Sequence, residues 1–455
     1  MKLIVGAVAS GTGKTSVCLA LAAGLIKKGI QVNGFKVGPD YIDPMYMELV
    51  TGKTCYNLDP WMSSQEHVQE LVSGLPGLSL IEGVMGYYDG PDISSSTGST
   101  AHLTGILGSP AVLVVDARAM ARSFGALVRG FVDFEDLGKN IKAIIANGCG
   151  SQRHADLLAK ALNGSGLPPL VGAIPKKALP ELASRHLGLQ TPDSREVDPD
   201  IEDLFARAAE QYLDLDGIIS LAGQTSDPGL IPGFRFQEQS GQKKIRVAVA
   251  RDRAFNFYYQ ANLDVLVRAG ADLIQFSPTK DRHLPQDIQM IYFGGGYPEL
   301  YAYELSQNKS LRKDILSYAG SGGHIYAECG GLVYLCRDLK ILNGQVFPMA
   351  GVLPFRASML GRRKSLGYVR VSFENDCLLG DKGAEIRGHE YHYSEIEPIK
   401  PGQKWKNVYQ VENSRQEPKD TLGISLGNVL ASYVHVYFGH RPDVAQRIVE
   451  WIRGE

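Results

Sequence analysis

The sequence predicts an α/β protein built from two domains. Three observations lead there. Short strands, apolar on both faces, alternate with helical patterns through the first half, which indicates a parallel sheet covered on both sides. A stretch rich in Pro, Gly and polar residues interrupts that pattern at residues 225–244. A second α/β series then begins at residue 245. A chain of 455 residues is also too long for one hydrophobic core. The expected division is 1–224, a linker at 225–244, and 245–455.

In the first domain, residues 2–7 read as a buried strand. Residues 14–28 read as a helix with an apolar stripe at Val17, Leu21 and Leu25. Strands follow at 31–37, 78–82, 111–116, 141–147 and 170–174, with helices at 119–131 and 153–162. In the second domain, strands are expected at 245–250, 272–276, 289–293 and 324–327. A helix is expected near 257–268 and another after Pro442.

Composition narrows the class. Apolar residues make up 44% and charged residues 21%, ordinary values for a globular protein. A net charge of -2 supplies no basic field for nucleic acid. The 6 cysteines form no Cys-x-x-Cys pair and are too sparse for a disulfide framework, which points to a reducing cytoplasm. The apolar start Leu3-Ile4-Val5 is too short for a signal peptide, and no apolar run reaches the ~20 residues that span a bilayer.

Residues 8–15, Val-Ala-Ser-Gly-Thr-Gly-Lys-Thr, follow the first strand and form a phosphate-cradling loop. Backbone N–H groups around Ser10, Gly11, Thr12 and Gly13 would close on phosphate oxygens, Lys14 would neutralise β/γ charge, and Thr15 would ligate Mg²⁺. The first glycine of the usual pattern is Val8 here, but the strand before and the intact Gly-Lys-Thr keep the match; the plain alternative is a glycine-rich turn. Lys36, Tyr41 and the carboxylates Asp40 and Asp43 leave the second strand at the sheet edge where such folds bind ligands. Lys36 suits a phosphate or a carboxylate, and either Asp suits Mg²⁺; the bland reading is a solvated loop with Asp43 capping a helix. Glu82 directly follows a buried strand and reaches toward the metal, unless it is a structural carboxylate. Gly83, Gly86 and Gly90 around Asp89 make a substrate loop. Asn147 ends another strand and suits adenine, though Asn is also a common turn residue.

Residues 326–332, Tyr-Ala-Glu-Cys-Gly-Gly-Leu, describe a sharp strand-to-helix turn that would lift Cys329 out of the fold and set its sulfur at a helix N-terminus. That position favours the thiolate, whose ordinary pKa is about 8.5. A cysteine nucleophile needs a base. His435, after a late apolar strand, is best placed, with His389 and His392 as competitors. The run His389-Glu390-Tyr391-His392 misses the zinc-helix spacing by one residue, which rejects a zinc helix. Gly294, Gly295 and Gly296 offer N–H groups for a tetrahedral oxyanion. Without its glycine turn, Cys329 would read equally well as a buried small residue.

These residues carry a resemblance. The C-terminal domain resembles a class I glutamine amidotransferase of the cobyric-acid-synthesis branch, with Cys329 as nucleophile and His435 as base. The common class I pattern has Glu two residues after that His, where this chain has Tyr437. The branch lacks the Glu as well, so the resemblance implies a Cys–His pair. The N-terminal domain resembles dethiobiotin-synthetase-like P-loop amidoligases. Residues 35–44, 57–62, 81–90, 251–258 and 388–392 together are similar to the cobyrinic acid a,c-diamide synthase family. The resemblance implies ATP- and glutamine-dependent amidation of the a and c acetates of cobyrinic acid through acyl phosphates. It implies Mg²⁺, and ATP, L-glutamine and a corrin-type tetrapyrrole acid as small-molecule partners. A homodimer is compatible with it. Ser10 to Thr15, Lys36 and Asn147 would bind ATP. Thr15, Asp40, Asp43 and Glu82 would hold the metal, and Tyr41, Asp89 and His389 would meet the substrate. A related family, the nickel-sirohydrochlorin a,c-diamide synthases of coenzyme F430 biosynthesis, shares the motif set. A partitioning-type ATPase switch is the alternative of another class. Ala9, where those proteins carry an extra Lys, speaks against it.

Overall fold

The computed structural model describes residues 1–182, 184–185, 188–189, 198, 200–225, 244–399 and 404–454. The expected linker lies outside the described residues, apart from Thr225 and Lys244. The chain divides into two compact units, Met1–Gly233 and Phe234–Glu455.

Besides a short pair, Ser184–Arg185 with Gly188–Leu189, the described residues of the first unit carry β1 (Lys2–Ala7), β2 (Val32–Val37), β3 (Tyr56–Leu58), β4 (Leu78–Glu82), β5 (Ala111–Asp116), β6 (Ile141–Cys149) and β7 (Leu170–Pro175). The strands β1 to β7 form one parallel sheet in the order β3-β2-β4-β1-β5-β6-β7. β1 lies in the interior of the sheet, where the strand order reverses, so the loop after it opens at the edge favoured for ligands. Alternation along β1 sends Leu3, Val5 and Ala7 into one core and Ile4 into the other. Helix α1 (Lys14–Lys27) covers the first of these cores with Val17, Leu21 and Leu25. The helix expected at 119–131 instead spans Arg122–Asp133. Ala119 has φ 57, a left-handed conformation that no α-helix continues.

The second unit holds a seven-stranded sheet in the order Ala271–Phe276, Ile245–Ala250, Met290–Phe293, His324–Glu328, Val429–Ser432, Gly423–Leu426, Lys406–Asn407. Its first five strands pair parallel, and the last two pairings are antiparallel. The helix expected at 257–268 begins at Gln260, because Phe257 pairs antiparallel with Gly295 and is held out of the helix. Two further sheets between Cys336 and Val436 are absent from the sequence reading. Their strands, such as Ser365–Phe373, are buried only at alternate residues, so they lack the apolar runs that marked the parallel strands. Among these, Glu385–His392 and the short His435–Val436 pair antiparallel and bring His389 opposite His435. Among the described residues no helix is long and apolar enough to cross a membrane.

Candidate functional site

In the first unit the chain leaves β1 and turns through Gly11 (φ 77) and Gly13 (φ 85) into α1. Gly13 is the N-cap and no side chain caps the helix, so the first-turn N–H groups suit an anion. The loop is braced from within by Thr12 Oγ1, which donates to the Ala9 carbonyl (3.0 Å). Asn147 braces it from β6: its amide donates to the Thr12 carbonyl (2.8 Å) and lies over Gly13, where a Cβ would stand 2.4 Å away. This commits one of the two amide N–H groups of Asn147 to the loop; the second N–H and Oδ1 are the atoms that would meet adenine. Ser10 and Gly11 stand exposed at the loop's crest. Lys14 is buried and donates to the Met85 carbonyl (2.8 Å). Burial, with Lys36 adding repulsion, lowers its pKa.

Lys36, at the end of β2, is 3% exposed and gathers the acidic residues. It donates to Asp43 (2.5 Å), Glu82 (2.9 Å) and the Gly83 carbonyl (3.2 Å). Thr15 Oγ1 donates to Glu82 (2.7 Å) and lies 3.3 Å from Asp43. Burial raises Glu82 to about 7, against the pull of Lys36. Hydroxyl and carboxylate oxygens are the donors Mg²⁺ takes, usually one or two from protein beside water and phosphate. Thr15, Asp43 and Glu82 fit that demand. Asp40 fits less well: its Oδ1 accepts from the N–H groups of Ile42 (2.9 Å) and Asp43 (3.1 Å) and so caps helix α2 (Ile42–Thr51), the role the bland reading gave to Asp43. Among the described residues no group of three His, Cys, Asp or Glu is arranged to hold a metal ion, and Lys36 Nζ stands among these carboxylates. Tyr41, expected against the substrate, is buried at the start of α2. Asp89 is exposed and accepts from the Gly86 N–H (2.8 Å). Asn57, a brace the sequence reading passed over, donates to the carbonyls of Gly38 (2.9 Å) and Asp40 (2.7 Å) and fixes the loop.

In the second unit Cys329 occupies the expected turn. Its φ of 47 and ψ of -101 are rare for a side-chain-bearing residue, and they fit a nucleophile held on a strained corner. It is 8% exposed, however, and not lifted clear of the fold. Burial, with Glu299 adding repulsion, pushes the thiol well above its ordinary value and outweighs the Gly330 N–H that favours the thiolate. The expected thiolate is therefore corrected to a neutral thiol. The turn opens a helix of only six residues, Gly330–Leu335, too short for its dipole to offset desolvation.

His435 is brought to this turn from the neighbouring strands. The Cys329 N–H donates to the Ser432 carbonyl (2.8 Å), three residues before His435. Cys329 Sγ lies 3.8 Å from the Tyr391 carbonyl, two residues beyond His389, which pairs with His435. The His435 ring lies between two surfaces. His389 stacks on it (centroids 5.0 Å, 20°), and on Gly295 a Cβ would meet its Cε1 at 2.3 Å. Burial, with His389 and His392 adding repulsion, holds His435 well below its ordinary pKa. His389 is 3% exposed, hydrogen-bonded through Nδ1 to the Tyr259 hydroxyl (2.8 Å), and drawn down by burial to about 3. It thus supports the cysteine centre as a buried neutral ring, which corrects its assignment to the substrate.

The oxyanion assignment also changes. The Gly294 N–H donates to the Tyr258 hydroxyl (2.8 Å), and the Gly295 N–H donates to the Phe257 carbonyl (3.1 Å). Gly296 (φ 154) remains, and its N lies 2.9 Å from where a Cβ of Gly330 would stand. The N–H groups of Gly296 and Gly330 are the better donor pair. Gly330 was legible as the residue after the nucleophile at a helix start, a recurrent oxyanion position.

A phosphate loop with an acidic, lysine-bridged cluster and a buried cysteine–histidine turn together define a P-loop nucleotide-binding protein fused to a glutamine amidotransferase-type unit. Comparison with known proteins agrees. The CobQ/CobB/MinD/ParA nucleotide binding domain matches residues 3–189, and the CobB/CobQ-like glutamine amidotransferase domain matches residues 246–443. A protein of Syntrophotalea carbinolica named cobyrinate a,c-diamide synthase is 41% identical, covering 100% of this chain and 99% of its own. One of the same name from Dehalococcoides mccartyi is 37% identical, covering 100% and 98%. The chain belongs to the cobyrinate a,c-diamide synthase family.

Gly295→Ala tests the geometry of the second centre. The added Cβ displaces the His435 ring, so glutamine hydrolysis should fall by about 10²-fold or more. Steady-state assays of glutamate release, beside a thermal melt that stays close to the unsubstituted protein, check this.

Proposed function

We propose that this chain is a ligase that uses ATP and glutamine to convert the a and c acetate carboxylates of cobyrinic acid to amides. The observation that carries it is the 41% identity to a relative of that name over the full length of both chains. It is joined by the presence of both centres in one polypeptide. The relatives' names favour cobyrinic acid over nickel-sirohydrochlorin, and a partitioning switch would leave the cysteine unit without explanation.

A carboxylate resists ammonia because oxide is a poor leaving group. In the first centre a carboxylate oxygen of the substrate attacks the γ-phosphorus of ATP, the bond to ADP breaks, and an acyl phosphate results. The phosphate loop and Lys14 hold the transferring charge, and Lys36 with its carboxylates fixes the floor of the site. Thr15, with Asp43 or Glu82, would hold Mg²⁺, which when bound would supply Lewis-acid charge to the phosphates. Asp89 stands exposed to position the acetate. Ammonia then displaces phosphate.

In the second centre the thiol of Cys329 attacks the amide carbon of glutamine while His435 takes its proton. The N–H groups of Gly296 and Gly330 receive the oxyanion, His435 returns the proton to the leaving nitrogen, and ammonia departs. Water then frees glutamate from the thioester. Because burial keeps both Cys329 and His435 neutral at rest, proton transfer accompanies the attack. The protein is taken to work in the cytoplasm, and a homodimer is compatible with both centres.

Cys329→Ala should lower glutamine-dependent synthesis by about 10³-fold or more while synthesis from added ammonium stays within about twofold. Loss of both activities together would refute the division of labour. Lys14→Ala should lower synthesis from either nitrogen source by about 10²-fold or more. Mass spectrometry of cobyrinic acid incubated with ATP, Mg²⁺ and either source reads both results as gain of two amides.

A further inference from the structure

Glu328 directly precedes the nucleophile at the end of strand His324–Glu328, and it is 1% exposed. A carboxylate so deep costs several kcal/mol unless it is met by donors. Three meet it. The Tyr326 hydroxyl donates to Oε1 (2.7 Å), the Val436 N–H to Oε1 (3.2 Å) and the Tyr292 hydroxyl to Oε2 (3.1 Å). A carboxylate has roughly four lone-pair sites, which leaves one. His435 Nδ1 lies 4.0 Å from Oε2, and the Val436 N–H ties the same carboxylate to the strand that carries His435. Tyr437, which stands where the common class I pattern has its acid, turns its ring onto Tyr259 instead (5.0 Å, 68°). With its faces fixed by Gly295 and His389, the His435 ring has two nitrogen edges, and one of them borders Glu328.

We propose that Glu328 is the positioning residue of the glutamine-splitting centre: it accepts the hydrogen on His435 Nδ1 and thereby presents Nε2 to the Cys329 thiol. This rests on Cys329 and His435 being the pair that splits glutamine. Hydrogen bonds of this kind are often long before substrate arrives and tighten in the complex. As sulfur bonds to the amide carbon, the carbonyl electron pair moves to oxygen and the thiol proton moves to Nε2. The imidazolium so formed has Glu328 as its counter-charge. Nε2 then gives the proton to the leaving nitrogen, and the ring returns to neutral. Burial raises Glu328 to about 7, so it binds a proton more readily than an ordinary carboxylate does.

The test uses the full chain. Glu328→Gln keeps the shape and loses the charge. Its kcat for glutamine hydrolysis should fall by about 10²-fold while KM for glutamine stays within about twofold. Synthesis from ammonium and the melting temperature should be unchanged. A kcat near that of the unsubstituted enzyme in a folded variant overturns the proposal. If Cys329→Ala also leaves glutamine-dependent synthesis intact, the underlying reading fails instead. A second measurement stands apart from whether the variant folds. Nitrogen-15 NMR of the histidine-labelled unsubstituted chain, with the His435 signal identified by its loss in His435→Gln, should show the proton on Nδ1. A proton on Nε2 overturns the proposal.

Discussion

Lys36 holds a positive charge at 3% exposure, and a charge in that position survives only if its neighbours make up for lost water. Burial alone would drive the ammonium toward neutrality. Asp43, Glu82 and Asp40 more than reverse this, so its pKa stands well above the ordinary value. The rest of the first centre follows from that balance. Thr15 turns its hydroxyl to Glu82, Asp40 gives an oxygen to the start of α2, and Lys14 is left as the second cation, its pKa lowered by burial. The site has its charges arranged before a ligand arrives, which lowers the reorganisation demanded of the protein during phosphoryl transfer.

The second centre solves the same problem in the opposite way. Burial is not offset there, so the thiol and the imidazole both stay neutral and the carboxylate beside them is pushed to about 7. Nothing in that pocket is ionised strongly at rest. In the proposed mechanism charge appears only when the sulfur attacks, and the groups that would receive it are already placed: N–H groups of Gly296 and Gly330 for oxygen, and the clamped His435 for the proton. One unit therefore works with permanent charge and the other with transient charge.

The parallel strands and the phosphate loop were legible because they are written locally. β1, β4 and β5 are short apolar runs flanked by turn residues, and a glycine-lysine-threonine after a strand has few other uses. What was not legible depends on partners far away in sequence. The committed N–H groups of Gly294 and Gly295 depend on Tyr258 and Phe257, some 36 and 38 residues earlier. The bracing of the loop by Asn147 depends on Thr12, 135 residues away. The thiolate expected of Cys329 failed because a local pattern reports a helix start but not how much water the fold removes. The antiparallel strands of the second unit bury alternate residues only, a weaker signal than a continuous apolar run.

The hydrogen bond between Lys14 and the Met85 carbonyl links two loops that chemistry treats as separate. The ammonium has three N–H groups, so it can hold the Met85 carbonyl and a phosphate oxygen together. A filled phosphate loop would then steady the segment that also carries Asp89, whose Met85 turn is held at φ 46. By reciprocity, whatever steadies that turn would favour the anion as well.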